Sequence, residues 1–151
     1  MKRIIFITMM VVVSIHTTAQ DIDSTIVKGY DWTPVIDAII WHESRGNPNA
    51  SCGPYLGVLQ IAPILVRECN NILKSRGVKK RFTLNDRRSK ERSIEMFYVI
   101  MSKYNKENDV DKACRIWHGG ARYTKKSTQK FVNEIHVIMK QQQKKKYEEK
   151  E

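Results

Sequence analysis

The sequence predicts an all-α fold, a single compact domain of about five helices, and three observations carry that prediction. Apolar residues recur at three- and four-residue spacing in five separate stretches. Helix punctuation brackets those stretches, with Thr33-Pro34 and Pro63 at starts and Gly46, Gly77 and Gly119-Gly120 at ends. No stretch alternates with period two for long enough to demand a strand. With 151 residues, 41% of them hydrophobic, the chain can build one real core and is too short for two comfortable ones.

The first twenty residues form a separate object. Lys2 and Arg3 precede an apolar run from Ile4 to Val13, and Ser14 to Gln20 then supplies small and polar residues ending Thr18-Ala19-Gln20. This is the order of a cleaved secretory signal, with an apolar run of roughly half the length a bilayer-crossing helix needs. The expectation is an exported protein, periplasmic or secreted, without a stable membrane anchor, and with no cysteine near the cut to carry a lipid. Asp21 to Asp31 reads as a polar lead-in.

The first helix begins at Thr33-Pro34, where threonine can cap free amides and proline is tolerated at the first helical position, and runs to about Arg45 with Gly46 as its left-handed stop. Asn49 to Ala62, rich in glycine and proline, reads as a loop. Pro63 opens a second helix through Arg76, with Leu65, Cys69, Ile72 and Leu73 on one face. A basic connector, Val78 to Arg88, leads to a third helix over Ser89 to Tyr104, whose Ile94, Phe97, Tyr98 and Met101 share a face. A short fourth helix spans about Asp111 to His118. Ser127 or Thr128 caps a fifth, with Phe131, Val132, Ile135, Ile138 and Met139 as its apolar stripe. The domain thus covers 33–139, and the basic tail 140–151, low in complexity and apolar content, is expected to be a frayed helix end or disordered.

The formal charge is +11, and losing Lys2 and Arg3 with the leader still leaves +9. Such a protein suits anionic surroundings, among them a cell wall bearing stem-peptide carboxylates, although a basic surface also serves solubility alone. Cys52, Cys69 and Cys114 permit one bridge in three pairings. Cys69 and Cys114 fall on apolar helix faces, which favours buried free thiols. His42, His118 and His136 show no metal-ligand spacing with the cysteines, and position 46, where a zinc protease would need histidine, is Gly46. No metal and no cofactor is expected. Ser44 lacks the flanking glycines of a nucleophile elbow, and no glycine-rich phosphate loop opens any helix.

The most informative feature is in the first helix. Ile36, Ile39, Ile40 and Glu43 lie at i, i+3, i+4 and i+7, so a carboxylate continues the apolar stripe. Glu43 also sits in the last turn, where the helix dipole disfavours negative charge. Burial and dipole together favour the protonated acid, a proton donor near neutral pH. The alternative is that Glu43 bends to solvent or pairs with Arg45.

His42-Glu43-Ser44-Arg45-Gly46-Asn47-Pro48-Asn49-Ala50-Ser51, followed by Gly57-Val58-Leu59-Gln60-Ile61-Ala62-Pro63, resembles the first two motifs of the lytic transglycosylases and goose-type lysozymes of the lysozyme-like superfamily. A third family motif, an aromatic followed by Asn and a nearby Gly, is similar to Trp117-His118-Gly119-Gly120 with Tyr123 close behind, except that His118 stands where the family usually has Asn. Imidazole cannot offer an amide's donor and acceptor in the same geometry. The resemblance runs from Thr33 to Met139 and is specific mainly between Ile39 and Pro63. It implies a lysozyme-like helical domain with a loop-built substrate cleft and Glu43 as acid and then base. Ser44 would support it, and Gln60 would contact the sugar N-acetyl or glycosidic region. Tyr55 and Tyr123 would stack or hydrogen-bond along the cleft, and Trp117 would belong to the core, the sugar-binding floor, or both.

Ordinary glycosidases need a second carboxylate, as nucleophile or as base for water. The motif region holds none, and Glu68, Asp86, Glu91 and Glu95 are the nearest later in sequence. The resemblance implies instead a lytic transglycosylase, in which one glutamate protonates the bridging oxygen of peptidoglycan and then takes the proton of the sugar's own C6 hydroxyl, leaving a 1,6-anhydromuramic acid end. Family members of this size open the wall for secretion or conjugation machinery or travel with phage. A hydrolase using a later carboxylate, a silent glycan-binding protein and a basic nucleic-acid binder are the alternatives; no nucleic-acid partner is expected.

Overall fold

A computed structural model describes residues 30–149. The expected signal segment 1–20 and most of the lead-in lie outside the described residues. The protein is mostly helical, built in the order α1 (Thr33–Ser44), β1 (Ser51–Cys52), β2 (Tyr55–Leu56), α2 (Pro63–Ser75), a 3-10 turn (Leu84–Arg88), α3 (Lys90–Tyr104), α4 (Val110–Gly119) and α5 (Lys125–Glu148). None of these helices is long and apolar enough to cross a membrane.

One hydrophobic core draws on every helix. Val35, Ile36, Ala38, Ile39 and Ile40 are all buried, so α1 is covered on most of its circumference, as expected for a helix apolar nearly all round. It packs chiefly against α5, which also packs against α4, while α2 lies on α3. Phe97, Met96 and Val99 from α3 and Phe131, Val132 and Ile135 from α5 complete the centre. The α4–α5 seam also carries polar pins. Buried Arg115 donates to the Lys125 carbonyl at 3.1 Å, the Thr128 hydroxyl at 3.0 Å and Gln129 at 2.8 Å.

Local chemistry explains where elements differ from expectation. The N-cap position of α1 is Trp32, which offers no side-chain cap; Asp31 just before it accepts from the Thr33 amide at 2.9 Å, and Thr33 itself is helical. Arg45 (φ 54°) and Gly46 (φ 83°) together form the left-handed exit. The α5 cap is Thr124, which accepts from the Ser127 amide at 3.1 Å, so this helix starts before Ser127 and Thr128. Ser89 caps α3, accepting from the Arg92 amide at 3.1 Å.

Two connectors carry more structure than the sequence suggested. Within Asn49 to Ala62 a minimal antiparallel hairpin pairs Ser51 with Leu56 and Cys52 with Tyr55. In the basic connector Thr83 and Asp86 form a reciprocal capping box around the 3-10 turn. Asn70 mimics a strand for the same connector, donating to the Phe82 carbonyl and accepting from its amide, both at 2.8 Å.

The tail is a correction: residues 140–148 continue α5 as regular helix. Gln, Lys and Glu are good helix formers, no Gly or Pro interrupts them, and Lys144 pairs with Glu148 at 3.7 Å. Gln142 also reaches the Asp37 carbonyl of α1 at 3.4 Å. All three cysteines are free; Cys69 and Cys114 are buried as expected, whereas Cys52 is exposed on the hairpin. Burial pushes both core thiols up to about 12, helped by Glu68 at Cys69 and Asp111 at Cys114.

Candidate functional site around Glu43

Glu43 lies in the last turn of α1, three and four residues after the buried Ile40 and Ile39, and its side chain keeps 22% of its exposure. Burial pushes its carboxyl above the ordinary carboxylate range, against the opposing pull of His42 and His118. Arg45 does not neutralise it. That guanidinium lies over the Trp41 ring, 4.7 Å from its centroid.

The loop beside Glu43 is held by three of the residues singled out from the sequence, each fastening one of three successive carbonyls. Gln60 donates to Gly57 O at 2.9 Å, Ser44 to Val58 O at 2.8 Å, and the Trp117 indole to Leu59 O at 3.3 Å. The second hydrogen of the Gln60 amide goes to Ala50 O at 3.0 Å. Gln60 adopts φ 48°, which turns the loop back to the Leu56–Ile61 bridge. Both Gln60 amide hydrogens serve the loop, so its side-chain carbonyl oxygen is the atom left for a ligand. Trp117 has likewise spent its one donor, and its ring packs on Phe97 at 5.1 Å. Ser44 ties the end of α1 to the loop, and Trp117 packs against the core.

From the other side Gly57 is pressed against the connector. A Cβ placed there would meet the Arg87 carbonyl oxygen at 1.7 Å, and the residue has φ 83°. The Arg87 guanidinium donates to Pro54 O and Ile61 O, each at 3.1 Å, and Arg88 donates to the Asn49 side chain at 3.0 Å. The 3-10 turn thus acts as a brace for the loop.

His118, at the end of α4, stacks its ring on Phe131 with centroids 4.5 Å apart and planes 11° from parallel, within electrostatic reach of Glu43. Tyr55 is 48% exposed on the hairpin, and Tyr123 packs against the core near Gly119. Neither tyrosine ring hydrogen-bonds to or stacks on the other residues singled out. Glu68 bonds Lys103 and Tyr104, Asp86 bonds Thr83 and Arg92, Glu91 bonds Ser89, and Glu95 bonds Lys80 and Arg92. Each later carboxylate is thus engaged in holding the fold.

In the sequence Glu134 went unmarked, and His42 and Phe131 were given no place at the site. His42 binds Glu134 of α5 at 3.0 Å through Nε2 and turns Nδ1 toward Glu43, 3.8 Å from Oε1. Phe131 meets the His42 ring edge-on at 5.0 Å. The only sequence signal was that Phe131 and Glu134 share a helical face at i, i+3. Among the described residues no three His, Cys, Asp or Glu side chains gather as metal ligands. No family model, curated protein or solved structure matches the chain.

Proposed function

We propose that this protein is an exported lytic transglycosylase that cleaves the MurNAc–GlcNAc β-1,4 bonds of peptidoglycan, with Glu43 as its acid and base. The observation that carries the reading is a carboxyl at a helix end whose partial burial keeps it protonated beyond the ordinary range, beside a rigid loop. A neutral acid there can protonate the glycosidic oxygen as the bond to the anomeric carbon breaks. The resulting carboxylate then removes the proton of the C6 hydroxyl, whose oxygen closes on the anomeric carbon, so that Glu43 ends as it began and no water is consumed.

The transglycosylase outcome is favoured over hydrolysis because a hydrolase needs a second carboxylate free to act on water or sugar. The four later carboxylates considered for that task are tied to partners, and Glu134 approaches Glu43 only with the His42 ring between them. Such an enzyme acts on wall glycan strands, and its basic charge suits that anionic polymer. Service to a secretion, conjugation or phage apparatus would follow from the family likeness alone. The test is digestion of purified sacculi by the parent and by Glu43→Gln, with mass analysis of the fragments. Parent fragments ending one water lighter than hydrolysed ends, and none from Glu43→Gln, are the expected result. Hydrolysed ends would make the protein a lysozyme, and unaltered sacculi that retain bound protein would make it a binding protein.

A further inference from the structure

The mechanism above uses one side of Glu43; the other side faces an imidazole with a peculiar bonding pattern. His42 is wedged between α1 and α5, with Glu134 Oε2 on Nε2 at 3.0 Å and the Phe131 ring edge-on at 5.0 Å. Its Nδ1 is buried and has no hydrogen-bond partner, although the nearest carboxylate oxygen, Glu43 Oε1, is 3.8 Å away. That separation exceeds hydrogen-bond reach, and catalytic hydrogen bonds commonly tighten once substrate is bound.

An ionised Glu134 can only accept, so the neutral ring must carry its hydrogen on Nε2. Nδ1 is then a bare lone pair, and leaving it buried without a donor is costly. Once that gap closes, protonated Glu43 satisfies it by donating its O–H to Nδ1.

We propose that His42, with its tautomer set by Glu134, is a positioning residue for Glu43, holding the carboxyl by Oε1 so that Oε2 is presented to the substrate and sharing its proton through Nδ1. The proposal rests on the reading of Glu43 as the catalytic acid. Catalysis remains balanced: the proton given to the glycosidic oxygen leaves from Glu43, and the C6 hydroxyl returns one to it, while the Nε2 proton stays with the Glu134 pair. The titratable and charged groups around this ring are Glu43 on α1, His118 on α4 behind Phe131, and Glu134 on α5 with Lys130 3.8 Å behind it. Removing the Glu134 charge takes away a negative neighbour that favours the proton on Glu43, so Glu43 loses that proton at lower pH.

The experiment compares the parent with Glu134→Gln and His42→Phe, with Glu43→Gln as the reference for the parent reading. Nitrogen-15 imidazole spectra of the full chain come first, because they need no activity. A single Nε2-protonated tautomer for His42 in the parent, replaced by averaged ring shifts in Glu134→Gln, is expected. The pH dependence of fragment release from sacculi comes second. Its alkaline limb should move to lower pH in Glu134→Gln, and His42→Phe, which keeps a ring but no nitrogens, should lose turnover by about tenfold or more. A wild-type limb in both variants with only the melting temperature lowered would make His42 structural. An averaged tautomer in the parent also overturns the proposal, even if Glu43→Gln is inactive. A parent that releases no fragments, or an active Glu43→Gln, instead removes the catalytic reading on which it rests.

Discussion

Gly46 and Gly57 share φ 83°, yet a Cβ at Gly46 meets nothing within 4 Å while one at Gly57 would lie 1.7 Å from the Arg87 carbonyl oxygen. Alanine at either position places a β-carbon in left-handed backbone, which costs about 1–2 kcal/mol. The reduced freedom of the unfolded chain acts equally in both variants and cancels in the comparison. At Gly57 the contact is with backbone, which no side-chain rotation relieves, so the overpacking cost of about 1–3 kcal/mol is added. Gly46→Ala should therefore lose about 1–2 kcal/mol and Gly57→Ala about 2–5 kcal/mol. Urea titrations of both variants, read as midpoint shifts at constant m, give the difference directly. Because Gly57 O is a loop carbonyl that Gln60 holds, Gly57→Ala should also depress the proposed glycan cleavage more than its stability loss explains. Equal destabilisation of the two variants would refute the reasoning, for it would mean that the Arg87 brace does not press on the loop.

Three further outcomes are expected. Glu43→Gln should match the parent's stability below pH of about 4.3, where folded and unfolded carboxyls are both protonated, and should gain on it as pH rises toward the raised folded pKa. Each unit of that elevation is worth about 1.4 kcal/mol, and thermal melts across acid and neutral pH read it; a variant that melts lower at neutral pH would make Glu43 a stabilising charge. A thiol reagent should modify one cysteine, Cys52, in the native protein and all three after unfolding, since burial holds Cys69 and Cys114 near 12; fast reaction of two native thiols would contradict the buried core. Truncation after Gln142 should leave the melting temperature nearly unchanged while reducing helical circular dichroism, because most of the removed turns are exposed; a large fall in melting temperature would show that the far end of α5 supports α1.

All five helices were legible because their apolar positions recur with the helical period and because proline and glycine bracket several of them. The same reasoning placed Glu43 on a buried stripe, and the structure puts it there with a raised carboxyl. Short elements were not legible. A hairpin with two residues per strand and a 3-10 turn of five residues are too brief to establish a period. The tail misled because low apolar content looks the same in a disordered segment and in an exposed helix that continues a packed one.

By itself the sequence determined what local chemistry controls: helix class, the ends of α1 and α3, and a carboxylate whose position on its helix places it at the core boundary. Only the tertiary structure decided which polar hydrogens are already spent. It gave Gln60, Ser44 and Trp117 to three consecutive loop carbonyls, and it brought Glu134 to His42 across 92 residues of chain. Hydrogen-bond partners of that kind depend on how α1, α4 and α5 pack, and a helix's own periodicity says which face is buried without saying what it is buried against.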